Sequence, residues 1–220
     1  MSLFKKSNNE VAPICDRCGF PVKTGTNALG QQQNGLAALT SEGVCNHASL
    51  VLEFVGHLEA TQTVPIAEAE AIALFHSCIV YALWTTWGKK EPIGAYLDLY
   101  MARLLIKVRE RFGDTCLSRF KDIVLSREAE FMEEFPNIVR GDAALPEQAL
   151  FPVVKESDAA TVRLAGRWVR RVQGTYDAEL EKSGLHAGTD IISVGSFFRL
   201  VTSAIVADSK LFRSMQGLFQ

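Results

Sequence analysis

Two cysteines separated by two residues, Cys15 and Cys18 in the stretch ICDRCGFPVK, are the side chains of this sequence best spaced for chemistry. A C-x2-C pair lets both thiolates reach one zinc ion, and Gly19 directly after it permits the tight turn that points backbone amides at the sulfurs. That is half of a tetrahedral site. Cys45 and His47, a C-x-H arrangement after a long spacer, are the next donors along the chain and give one way to complete a Cys3His set. Two copies of the Cys15 and Cys18 pair meeting across a dimer give another. A redox dithiol is the rival chemistry, but thioredoxin-like pairs sit on a helix that follows a strand, whereas Phe20, Pro21 and a Gly-rich stretch follow here. An inert arm is the third reading. A site closed by four protein ligands leaves no position for substrate, so the expected metal is structural zinc without catalysis.

The second constellation is basic. Arg163, Arg167, Arg170 and Arg171 fall on one arc of a helix, at i, i+4, i+7 and i+8, while Leu164, Ala165, Trp168, Val169, Val172 and Tyr176 take the other side. Such a face suits nucleic acid or a phosphate ligand. The formal net charge of −2 works against it, and no aromatic residue interleaves the arginines for base stacking. The acidic cluster Glu128, Glu130, Glu133 and Glu134 is equally able to pair with them. Nucleic-acid binding is therefore the alternative and not the favoured reading.

Other polar groups point to catalysis less well. Glu53 and His57 are spaced i, i+4 on a polar face, without the paired Glu-x-x-His motifs that bundle metalloenzymes use. His76 reads as a core histidine, and His186 as a loop residue that no pattern connects to Cys78 or Cys116. The P-loop, dinucleotide-binding and nucleophile-elbow motifs are absent. An enzyme would need an inter-helix pocket where Tyr96, Tyr100 and His76 converge with carboxylates, and the balance leans away from one.

The elements that must position these groups are helical. Val51, Phe54, Val55 and Leu58 recur with helical phase, and the charge-free run AIALFHSCIVYALWTTW predicts a second helix that starts at Thr63 or Pro65 and ends at Trp87. That run is at the short edge of a membrane span, but the amphipathic helices around it need an apolar element, so it reads as the core. A third helix is expected from Pro92 to Gly113, on Tyr96, Leu97, Tyr100, Leu104 and Val108. A fourth follows from Asp114, on Leu117, Phe120, Val124, Phe131 and Phe135, until Pro136 stops it. A fifth is expected from Ser157 or Asp158 to Lys182, and a last, apolar almost all round, from Asp190.

With 220 residues, 48% of them hydrophobic and 22% charged, the chain has material for one sizeable core. The expected fold is all-α: a bundle of about six helices over residues 47–220, behind a polar arm over residues 1–46. Lys23 to Gly43 reads as a linker, since it holds few large apolar groups. Five scattered cysteines do not form a secreted disulfide pattern, and polar SNNE stands where a leader would need its apolar core. The expectation is a non-enzymatic interaction protein of the cytoplasm, self-associating through the last or the second helix, with zinc in its arm and no membrane partner.

Overall fold

The structure, a computed structural model, describes residues 30–61, 65–87, 92–144 and 156–183, with side chains at 44–60, 65–86, 96–137 and 163–183. It contains α1 (Gly30–Thr61), α2 (Glu68–Trp87), α3 (Pro92–Ala144), α4 (Glu156–Val172) and α5 (Ala178–Lys182), and no strand among the described residues. The fold is all-α. Cys15, Cys18, His186 and the apolar stretch from Asp190 lie outside the described residues.

In α1, Val44, Ala48, Val51, Val55 and Leu58 are buried at steps of three and four, so one stripe of the helix faces the core. Glu53 and His57 are exposed on the other side, and Phe54 stacks on Phe75 with centroids 5.2 Å apart. The helix begins at Gly30, inside the stretch that composition reads as a linker. Gln, Ala and Leu in GQQQNGLAAL are good helix formers, and they carry the backbone of α1 back from its packed half.

α2 is buried on every side from Ala69 to Val80, and it packs against α1, α3 and α4. Glu68–Thr86 is long and apolar enough to cross a membrane, but 72% of it is covered by the bundle. Its composition is that of a central helix.

Gly113, at φ 82° and ψ 177°, divides α3 into two helical segments where the sequence expects one helix to end and another to start. That backbone conformation is open essentially to glycine alone. Just before the break, Arg111 clamps α3 to α1: its Nη1 donates to the Leu52 carbonyl at 3.0 Å and its Nη2 to the Glu59 carboxylate at 3.0 Å. Gly56 leaves room for the guanidinium, since a Cβ there would lie 3.3 Å from Nη2. After the break, Leu117, Phe120, Val124, Phe131 and Phe135 form the buried stripe. Pro136 does not end the helix, which runs on to Ala144. A proline within a helix removes one ladder bond, here the one to the Met132 carbonyl, and bends the axis without forbidding a further turn.

α4 docks through Ala165, Trp168, Val169 and Val172. The Trp168 ring meets Phe135 and Phe131 edge-on, at centroid distances of 5.3 and 5.8 Å. Each large side chain buried this way contributes roughly 1.5–3 kcal/mol of transfer free energy. The expected fifth helix does not run through to Lys182. Gly174, at φ 68°, closes α4 with Thr175 N donating to the Arg170 carbonyl at 2.8 Å and Gly174 N to the Arg171 carbonyl at 3.0 Å, the paired bonds of a Schellman stop. The Ala67 amide donates to the Val172 carbonyl at 2.5 Å, joining the end of α4 to the start of α2. The short α5 then restarts from Asp177, whose side chain accepts from the Glu179 and Leu180 amides.

Candidate functional site

The metal candidates separate into two groups. Cys15 and Cys18 lie outside the described residues, whereas Cys45 and His47 are both buried in α1. Two residues apart on a helix, their Cα–Cβ directions differ by about 200°, so α1 as folded does not turn both donors toward one ion. His47 is instead hydrogen-bonded through Nδ1 to the Tyr96 hydroxyl. Among the described residues no three His, Cys, Asp or Glu side chains converge as a metal site.

A second histidine repeats this arrangement. His76 of α2 is 2% exposed, with Nδ1 3.1 Å from the Tyr100 hydroxyl, and its ring stacks on Tyr100 while meeting the edge of Phe120. Tyr96 and Tyr100 are one turn apart on α3, so α1 and α2 each present an imidazole to successive rungs of the same helix. Burial lowers both imidazole pKa values from 6.5 to about 4, which keeps the rings neutral near pH 7. Of the groups that an inter-helix catalytic pocket would need, His76 and Tyr100 meet as a hydrogen-bonded part of the core, whereas Tyr96 meets His47. Cys45 and Cys78 are buried and Cys116 is half-buried. Burial and then Glu68 push the half-buried Cys116 thiol up, against Arg119, which is the wrong direction for a nucleophile.

The arginines of α4 do not form an open basic face. Arg163 is exposed, but Arg170 is only 8% exposed, and Arg167 and Arg171 reach carboxylates. Arg167 donates through Nη1 to Glu134 at 2.8 Å and to Glu130 at 3.2 Å, and through Nε to Glu181 at 2.6 Å. Arg171 donates through Nη1 to Glu130 at 3.0 Å. Glu130 and Glu134 are thus the partners within the acidic cluster, while Glu128 and Glu133 are exposed. Glu134 also accepts from Trp168 Nε1 at 2.6 Å. Burial first, and Glu130 second, push the Glu134 carboxyl up to about 7, although Trp168, Arg167 and Arg171 pull the other way. Burial opposes the charge of Arg167, yet Glu181, Glu134 and Glu130 together hold its pKa above the ordinary value. Arg167 is therefore the fixed charge of that pair, and Glu134 the member whose protonation changes near neutrality.

Beside this network lies a polar cleft of about 290 Å³, lined by Glu70, Arg119, Arg127, Arg171, Gly174 and Tyr176. Arg127 pairs with Glu70, and the Arg171 guanidinium sits 4.6 Å above the centre of the Tyr176 ring. Tyr176 in turn donates to Glu181 at 2.6 Å. Sequence spacing picks out Arg171 but not Arg119, Arg127 or Glu70. These come from distant parts of α2 and α3, and the local signals are one acid at the head of an apolar helix and two arginines on its neighbour. Compared with protein-family models, with curated proteins and with solved structures, the chain matches none.

Proposed function

We propose that this chain is a non-enzymatic helical interaction protein of the cytoplasm that self-associates, with zinc held by the arm that carries Cys15 and Cys18. The observation that carries the reading is exposed apolar side chains on two successive helices: Trp84 of α2 is 40% exposed and Leu99 of α3 45%. Both stand within roughly 11 Å, along the helix axes, of the end where α2 leads into α3. Exposed aromatic and aliphatic side chains suit the apolar centre of a protein interface. A second copy is the occupant chosen, because self-association is expected through the last or the second helix, and Trp84 stands on the second. Divergence of Cys45 and His47 favours the version in which two arms share the ion, four thiolates coming from two chains. His47 and His76, each engaged by a tyrosine in the core, support binding over catalysis, and pairing of Arg167 and Arg171 with carboxylates does not favour nucleic acid.

Sedimentation equilibrium and metal analysis on the full chain test this together. The expected result is a dimer that carries one zinc per two chains. Trp84→Ser with Leu99→Ser should shift it toward monomer, and Cys15→Ser with Cys18→Ser should abolish the zinc. A monomeric, zinc-free protein would overturn the proposal.

A further inference from the structure

We infer that the cleft between α2, α3 and the α4–α5 turn is a binding site for a dianionic phosphate group, either free phosphate or the phosphate of a small monoester. The first argument is charge. Three guanidiniums, Arg119, Arg127 and Arg171, line the cleft against one carboxylate, Glu70. Glu130 offsets Arg171 in part and is shared with Arg167, which Glu134 and Glu181 also engage. One cationic charge is left over on the exposed Arg119, beside walls that are poorly hydrated: the side chains of Glu70, Arg171 and Arg127 are 10, 11 and 19% exposed. The charges of Arg127 and Arg171 are screened less than on an open surface, so they add to the attraction that the unpaired Arg119 exerts on an anion.

The second argument counts donors. Each guanidinium carries five N–H groups in a fixed fork. Arg127 uses Nη2 on Glu70 and Arg171 uses Nη1 on Glu130, each in a single bond and not as a bidentate pair. Arg171 Nε is buried without a hydrogen-bond partner among the described residues. Arg119 makes no hydrogen bond or ion pair with any described residue. The protein thus assembles more charged donors around this space than it has acceptors to satisfy. A tetrahedral oxyanion with three or four acceptor oxygens matches several forks at once, and a flat carboxylate matches one.

The third argument is shape. Gly174 in the wall has open space where a Cβ would stand, so the turn that ends α4 brings backbone to the cleft without a side chain to fill it. At about 290 Å³ the space is at the lower limit of small-molecule pockets, which suits a phosphate with at most a small organic group. The site shares no residue with the proposed zinc ligands or with Trp84 and Leu99, so it neither needs nor tests the self-association reading.

Isothermal titration calorimetry on the full chain, at constant ionic strength set by sodium chloride, tests the inference with inorganic phosphate and with phenyl phosphate. Saturable one-to-one binding of at least one probe is expected. Tighter binding of phenyl phosphate identifies a monoester ligand, and binding of inorganic phosphate alone identifies the free ion. Arg119→Gln changes an exposed side chain and should weaken binding about tenfold, while Arg163→Gln, outside the cleft, should leave it unchanged. Circular dichroism of both variants should match the parent. Absence of saturable heat with either probe, or weakening by Arg163→Gln and not by Arg119→Gln, would overturn the inference. So would binding restricted to a generic RNA.

Discussion

At the scale of single residues, the two buried imidazoles dominate the response to acid. Each has a folded pKa of about 4 against an ordinary 6.5, so the unfolded chain binds more protons between those values. The stabilisation they contribute is complete above about pH 6.5 and is lost as the pH falls through about 4. Its full extent is on the order of 3 kcal/mol per ring. We expect the urea midpoint of the parent to fall over that range. In a Glu134→Gln background, which removes the opposing titration, the double variant His76→Phe, Tyr100→Phe should lose roughly half of that slope, because His47 still titrates. Tyr100→Phe alone leaves the His76 Nδ1 without that partner and should cost about 1–3 kcal/mol at pH 7.5, more than the double change. An unchanged slope in the double variant would contradict this account. His76 was legible as a core residue from its place in a charge-free run, but its partner was not. Tyr100 lies on the next helix, and only the packed phase of α2 against α3 brings the two together.

At the scale of elements, backbone conformation sets the boundaries. Gly113 and Gly174 both have positive φ, and at each the space a Cβ would take is open, so substitution there acts on the backbone alone. Gly113 also has ψ 177°, outside the left-handed helical region that asparagine tolerates. Gly113→Ala and Gly113→Asn should therefore both destabilise, by about 1–3 kcal/mol in urea denaturation. If Gly113→Asn were neutral, the break would not have the geometry described. The stripes of α1 and of both halves of α3 were readable because 3.6-residue spacing of large apolar groups is a local property, and α2 was readable as a charge-free run. The stop at Gly174 was not, since apolar spacing continues through Val172 and Tyr176 and hides a turn made by two backbone bonds. Pro136 misled in the opposite direction, because a single lost bond is less costly than the flanking helix is favourable.

At the scale of the whole molecule, α4 is fastened by one aromatic contact and one charged network. Trp168→Ala removes the ring packed on Phe131 and Phe135 together with the donor to Glu134, and should cost about 3–5 kcal/mol. Trypsin should then cut after Arg163, Arg167, Arg170 and Arg171 sooner than elsewhere in the described helices. Glu134 gives this joint a pH dependence opposite to that of the histidines. Its folded pKa, about 7, lies above the ordinary 4.5, so its contribution is complete below about pH 4.5 and is lost as the pH rises through 7. Glu134→Gln should remove that opposing term, so that the thermal midpoint rises more steeply with pH between about 4.5 and 6.5 than it does in the parent. The acidic and basic patches were both visible in the sequence, and their pairing follows from charge. The arginine cleft was not visible, because Glu70, Arg119, Arg127 and Arg171 become neighbours only when three helices are already packed.

The central position of α2 fixes how the domain can come apart. With Ala71 to Val80 covered on all sides by α1, α3 and α4, no single neighbour can swing away without wetting the innermost helix. The amides of that segment should exchange with deuterium only through complete unfolding, and those of α5, which buries no residue, should exchange by fraying long before.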